Sequence, residues 1–183
     1  MPKLFISLLA SALVLALHPL PSSAQEDHPI QLSLVTPIQI VPEDEAVRGV
    51  RINLLYGRNT FMTGFDYGLV NHTVRDFLGV GLGLVNLADG DATGVHWGLV
   101  NITQGAFEGL QWGGVNSAGR GHGAQIGVVN HLRNHRGLQF GLVNYAERMH
   151  GVQVGLVNII KTGGVLPVMP LVNWSFDEGR RPN

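Results

Sequence analysis

From Gly64 onward, apolar and polar positions follow one eight-residue phrase, Gly-apolar-x-apolar-Gly-Leu-Val-Asn, which returns every fourteen or fifteen residues. The clean copies run Gly64 to Asn71, Gly79 to Asn86, Gly94 to Asn101, Gly109 to Asn116, Gly123 to Asn130, Gly137 to Asn144 and Gly151 to Asn158, and a proline-modified copy runs from Leu166 to Asn173. Within a copy the pattern has period two, the signal of a strand, and helical periodicity is absent after the first residues. Strict alternation would send Leu138, Phe140, Leu142 and Asn144 to one face, and Gly137, Gln139, Gly141 and Val143 to the other. The central apolar position is Tyr67, Leu82, Trp97, Trp112, Ile126, Phe140 and Val154 in successive copies, which reads as a core stripe. The opposite face, with Gln111, Gln125, Gln139 and Gln153 between two columns of glycine, reads as an exposed docking surface.

A fixed short period across most of a chain marks a repeat architecture. The phrase never changes length, while the segment from Asn to the next Gly is six or seven residues, too short for a crossover helix. These features predict an all-β fold, a parallel β-solenoid of 14–15-residue coils. The alternative is an antiparallel β-barrel in an outer membrane, acting as a small channel or anchor. In a barrel, identical asparagines would alternate between the two rims. In a solenoid they stack about 4.8 Å apart and hydrogen-bond as a ladder, which accounts for Asn71, Asn86, Asn101, Asn116, Asn130, Asn144, Asn158 and Asn173 at once.

Outside the clean repeats, Lys3 precedes an apolar run from Leu4 to Leu17 and a small-residue stretch ending at Ala24, the order of a secretory signal peptide over residues 1–24. Residues 25–48 read as an N-terminal cap with a degenerate first copy, Pro29 to Thr36. Residues 49–176 form the repeat domain, beginning with an imperfect copy, Gly49 to Tyr56, and residues 177–183 are a polar tail. Pro167 and Pro170 suit an edge strand, because proline cannot donate to a ladder.

Composition narrows the function. The chain without residues 1–24 keeps 12 − 1 = 11 basic against 13 acidic residues, with no dense basic cluster, so nucleic acid is not an expected partner. No cysteine is present, which removes disulfides and thiolate metal sites. His131 and His135 have a metal-like spacing but no third ligand nearby, the pair Asp89 and Asp91 sits in an Asp-Gly turn, and no nucleophile elbow or phosphate loop occurs; no catalytic, cofactor-binding or metal residue is assigned. Trp97 and Trp112 read as core residues rather than a sugar platform.

The phrases Gly137 to Asn144 and Gly151 to Asn158, with the ending Pro170-Leu-Val-Asn-Trp-Ser-Phe176, resemble those of exported bacterial surface-repeat-containing proteins across roughly residues 49–176. That resemblance implies a Gram-negative envelope or surface location and no particular activity. The expectation is a non-enzymatic exported module, structural or binding, in the periplasm, at the outer membrane or on the surface. Its partner would be an envelope polymer, a protein or another copy of itself, with membrane association as the second expectation.

Overall fold

A computed structural model describes residues 27–176. The proposed signal peptide and the polar tail lie outside the described residues. The chain is all-β: β1 (Asp27–Val35), β2 (Ile38–Gln39), β3 (Ala46–Asn59), β4 (Phe61–Thr73), β5 (Phe77–Ala88), β6 (Ala92–Thr162) and β7 (Val168–Ser175). Their order is β2-β1-β3-β4-β5-β6-β7. Every neighbouring pair from β1 to β6 is parallel, with Gly49, Gly64, Gly79 and Gly94 in one register column and Asn71, Asn86 and Asn101 in another. The 71 residues of β6 continue the same winding, since the extended backbone carries on round the corners. The fold is therefore a β-solenoid, and the antiparallel barrel is excluded by the parallel pairing.

Two glycines per coil make this stacking possible. Gly49, Gly64, Gly79, Gly94, Gly109, Gly123, Gly137 and Gly151 all have φ between 120° and 152°. A Cβ on any repeat member of this column would lie about 2 Å from the carbonyl oxygen one coil below, for example 2.0 Å from Gly123 O at Gly137. No side chain fits there at any rotamer.

Strict alternation fails inside each copy. Gln139 is buried, Phe140 and Leu142 point outward, Val143 is half-buried, and Asn144 and Ala146 are buried again. Leu142 and Val143 thus form a corner at which two consecutive residues turn away from the axis, so Asn144 enters the interior beside Gln139 rather than sharing a face with Phe140. The interior is a set of stacked columns. Two come from the connections: Val47, Met62, Phe77, Ala92 and Phe107 on one side, and on the other Asn59, Thr73, Ala88, Thr103, Ala118, Leu132, Ala146 and Ile160, which is polar in its first coils and apolar in its last. Where Phe107 would recur, Gly121 and His135 follow, before Met149.

Reversed strands cover both ends. β2 pairs antiparallel with β1, and β7 pairs antiparallel with the end of β6. The Leu166 to Asn173 segment is therefore not a further parallel coil: the chain turns back at Gly163, whose φ is 85°, and lays Asn173 opposite Gln153 instead of Asn158. An outermost strand leaves one row of backbone groups unpaired, and Pro170 on that strand has no N–H to offer an incoming chain.

Candidate binding face

The asparagine column is a continuous chain of amides. Asn53 Nδ2 donates to Asn71 Oδ1, and each later Nδ2 donates to the next Oδ1 through Asn86, Asn101, Asn116, Asn130 and Asn144 to Asn158, at 2.8–2.9 Å. The second amide hydrogen goes to a backbone carbonyl of the next coil, as from Asn130 to Phe140 O at 3.0 Å. Both donors of each buried amide are thus used, which removes the desolvation penalty of burying it. The glycine three residues before each Asn makes the space: a Cβ at Gly141 would lie 2.4 Å from Gly127 O and 2.7 Å from Asn130 Nδ2. Glycine and asparagine in the Gly-Leu-Val-Asn phrase are one device, a gap and the amide that fills it.

Asn173 does not belong to this ladder; its amide donates to Leu166 O at 2.9 Å. Asn53 does belong, although it stands at a glycine position. Its register partner is Gly68, while Gly57 pairs with Asn71. A Cβ at Gly57 would lie 1.7 Å from Asn53 Oδ1. The first full coil has exchanged its Gly and its Asn, and the amide still arrives in the same place.

The expected docking residues are inside. Gln111, Gln125, Gln139 and Gln153 are at most 1% exposed. Gln125, Gln139 and Gln153 each donate Nε2 to the Oε1 one coil below at 2.7–2.8 Å, in the sense opposite to the asparagine ladder. The physical reason for the correction is space. On this wall the glycines of the phrase bring neighbouring backbones and amides close together, and the amides stack and bond to one another there. The larger apolar side chains of the phrase project outward, and the core is filled by those of the connections.

The outer face is accordingly apolar. Ile52, Tyr67, Leu82, Trp97, Trp112, Ile126, Phe140 and Val154 form its central column; Tyr67, Trp97, Trp112 and Phe140 are each more than half exposed, at 52–57%. The indoles of Trp97 and Trp112 stack with ring centroids 5.9 Å apart. These two residues are surface residues, contrary to the core reading. A parallel column of Leu69, Leu84, Leu99, Val128, Leu142 and Leu156 is also exposed. At the N-terminal end Ile38 and Ile40, on and beside β2, stand next to Leu32 and Leu34. Together they wall a groove of about 1030 Å³ that extends along the face to Trp97 and Leu99.

On the connection side, a second cavity of about 770 Å³ is lined by Arg120, His122, Arg136, Arg148 and His150, with Glu108 at its edge. Arg148 Nε donates to Asn134 Oδ1 at 3.1 Å. His131 and His135 do not act together: His131 stacks on Tyr145 and bonds Ser117 Oγ at 3.1 Å, whereas His135 is buried and burial holds its pKa down to about 4. Among the described residues no three His, Asp or Glu side chains converge as metal ligands. No family model matches this chain, and no curated protein or solved structure is significantly similar to it.

Proposed function

We propose that this protein is a non-enzymatic, exported module of the bacterial cell envelope or surface, and that its working surface is the apolar outer face. The observation that carries this reading is the inversion of the cross-section. The amides are consumed inside as ladders, while aromatic and branched aliphatic side chains stand exposed along the whole stack. Ordinary soluble monomers do not display contiguous apolar surface on this scale, and a face of this kind is a place for a partner. The signal-peptide order of residues 1–24 and the resemblance to exported surface-repeat proteins support an address beyond the cytoplasm. The polar groups of a catalytic centre would have to converge on one substrate, whereas here the repeated polar groups face one another.

Cell fractionation with N-terminal sequencing tests the proposal. The expected result is a chain in the envelope or medium that begins at Gln25. Cytoplasmic protein retaining Met1 would overturn it.

A further inference from the structure

The central column of the outer face reads the same in both directions. Counted inward over its eight middle rungs, it pairs Ile52 with Val154, Tyr67 with Phe140, Leu82 with Ile126, and Trp97 with Trp112, and the outermost strands add Leu32 beside Ile52 and Val172 beside Val154, a further branched pair. Branched residue answers branched, ring answers ring, and the two tryptophans meet at the centre. The registers of β3, β4 and β5 on β6 place the first four in one line, and the amide bonds to the carbonyls of Trp112, Ile126, Phe140 and Val154 carry the line through the later coils.

We propose that the occupant of this face is a second copy of the same chain, packed antiparallel about a two-fold axis that runs along the strands between Trp97 and Trp112. This rests on the reading of the apolar face as the working surface. Such an axis keeps each column on itself and reverses the order of the coils, so Tyr67 of one copy lies over Phe140 of the other. Only an isologous contact has a use for a sequence that mirrors itself, because in that symmetry residue i meets j and j meets i. A lipid surface or an unrelated partner places no such demand on the order of side chains.

Size agrees with this. Eight rungs at about 4.8 Å and three outward columns, the two above and that of Phe65, Val80 and Leu138, spanning about 13–18 Å, give a face of roughly 500–700 Å² per copy, hence about 1,000–1,400 Å² in total, which reaches the lower end of the range of stable specific interfaces. At the axis the neighbouring column sets Leu99 against Gly114, a large side chain against a bare position, so four central leucines do not compete for one space. Gly114 is the one place where the leucine of the phrase is missing from copies Gly64 to Asn116. The groove beside Ile38 and Ile40 falls where the other copy brings Phe140 and Val154, and would receive them.

The chain has no cysteine, so engineered thiols report contacts without background. Facing sheets lie about 10 Å apart, beyond a disulfide but within a short bis-maleimide. The chain from Gln25 should sediment as a dimer, and a mixture of Tyr67→Cys and Phe140→Cys variants should cross-link to each other, while neither cross-links to itself. Trp97→Glu with Trp112→Glu, both at exposed positions and checked for an unchanged circular dichroism spectrum, should weaken the dimer by on the order of 100-fold or more. Self-cross-linking of Tyr67→Cys alone would overturn the antiparallel arrangement. A monomer whose envelope retention is lost in the double Glu variant would overturn pairing while keeping the face as the working surface. Binding of that monomer to phosphatidylethanolamine/phosphatidylglycerol vesicles would assign the face to lipid instead. A monomer whose retention ignores the double Glu variant would remove both readings.

Discussion

The same interior position is built differently in the two halves of the stack. From Gln111 to Gln153 it is one residue repeated, each amide donating to the one below. In the N-terminal half it reads Gln31, Arg51, Asp66, Gly81 and His96 in consecutive rungs. There Arg51 grips Asp66 through two bonds, Nε to Oδ1 at 2.9 Å and Nη2 to Oδ2 at 2.6 Å, with both side chains at most 2% exposed. Arg51 also donates to His72 O and Thr73 Oγ1, and Asp66 Oδ1 accepts from Asn53 Nδ2. Gly81 then leaves an empty rung, into which the imidazole of His96 settles between Phe77 and Phe107. The C-terminal half can be extended by one identical rung at a time. The N-terminal half is a closed set in which each member depends on a particular neighbour.

That difference predicts unequal costs for equivalent cuts. Asp66→Ala leaves a fully buried guanidinium without its counter-charge and should destabilise by about 3–5 kcal/mol. Gln139→Ala removes the amide bonds to Gln125 and Gln153 but strands no charge, and should cost about 1–3 kcal/mol. Urea unfolding of both variants measures this directly. Equal losses would mean that the charged rungs are no more interdependent than the amide rungs.

Acid should also act on the N-terminal half. Burial holds His96 at a pKa of about 4, against 6.5 when unfolded. Between those values the unfolded chain takes up a proton that the folded chain refuses, so the stabilisation is complete above about pH 6.5 and is lost as pH falls toward 4, by about 3 kcal/mol for this residue. His135, lowered in the same direction, adds to the loss. Replacing His96→Gln should flatten part of the profile and offer Gln111 an acceptor that it now lacks, since its amide reaches only Thr103 Oγ1 and Ser117 O at 3.4–3.5 Å. Urea midpoints at pH 7 and 4.5 for both proteins decide the matter; an unchanged pH slope in the variant would exonerate His96.

Much of the fold was legible because its cause is local and repeated. The constant phrase and variable connection pointed to coils, and identical asparagines pointed to a stack. What the alternation could not say is which face is inside. Period two assigns Gln139 and Gly141 to one side and Phe140 to the other, and the usual preference then buries Phe140. The overlooked signal was the glycines. Gly141 shares the side of Gln139, and a side that repeatedly omits Cβ atoms is one where backbones and amides crowd, since a Cβ at Gly141 would stand only 2.4 Å from Gly127 O. The corner at Leu142 and Val143 was hidden for a related reason, since two adjacent apolar residues look like a strand interrupted rather than a bend. The reversal of the last copy was signalled only by Gly163, Gly164 and the two prolines, while its Leu-Val-Asn kept the appearance of the repeat.

The smallest expected effect is the most exacting test of the comparison. If the charged rungs are a closed equivalent of the amide ladder, then converting both members at once, Arg51→Gln with Asp66→Gln, should restore a ladder there. The amide introduced in place of Asp66 would donate to the one introduced in place of Arg51, in the sense used higher in the column, and its oxygen would accept from Asn53 as the carboxylate does now. The amide in place of Asp66 would also have the carbonyl of His72 as an acceptor, six residues on, as Gln139 has that of Tyr145. Gly81 above needs no partner, so the short ladder ends without an orphaned donor. Replacing a buried ion pair by uncharged groups of similar volume is often neutral, and the double variant should lie within about 1 kcal/mol of the parent although each single change costs several. A double-mutant cycle in urea would then show a coupling of about 3 kcal/mol or more between the two positions. Additive losses would show that this half of the column requires its charges, and that the two halves are not alternative solutions to one packing problem.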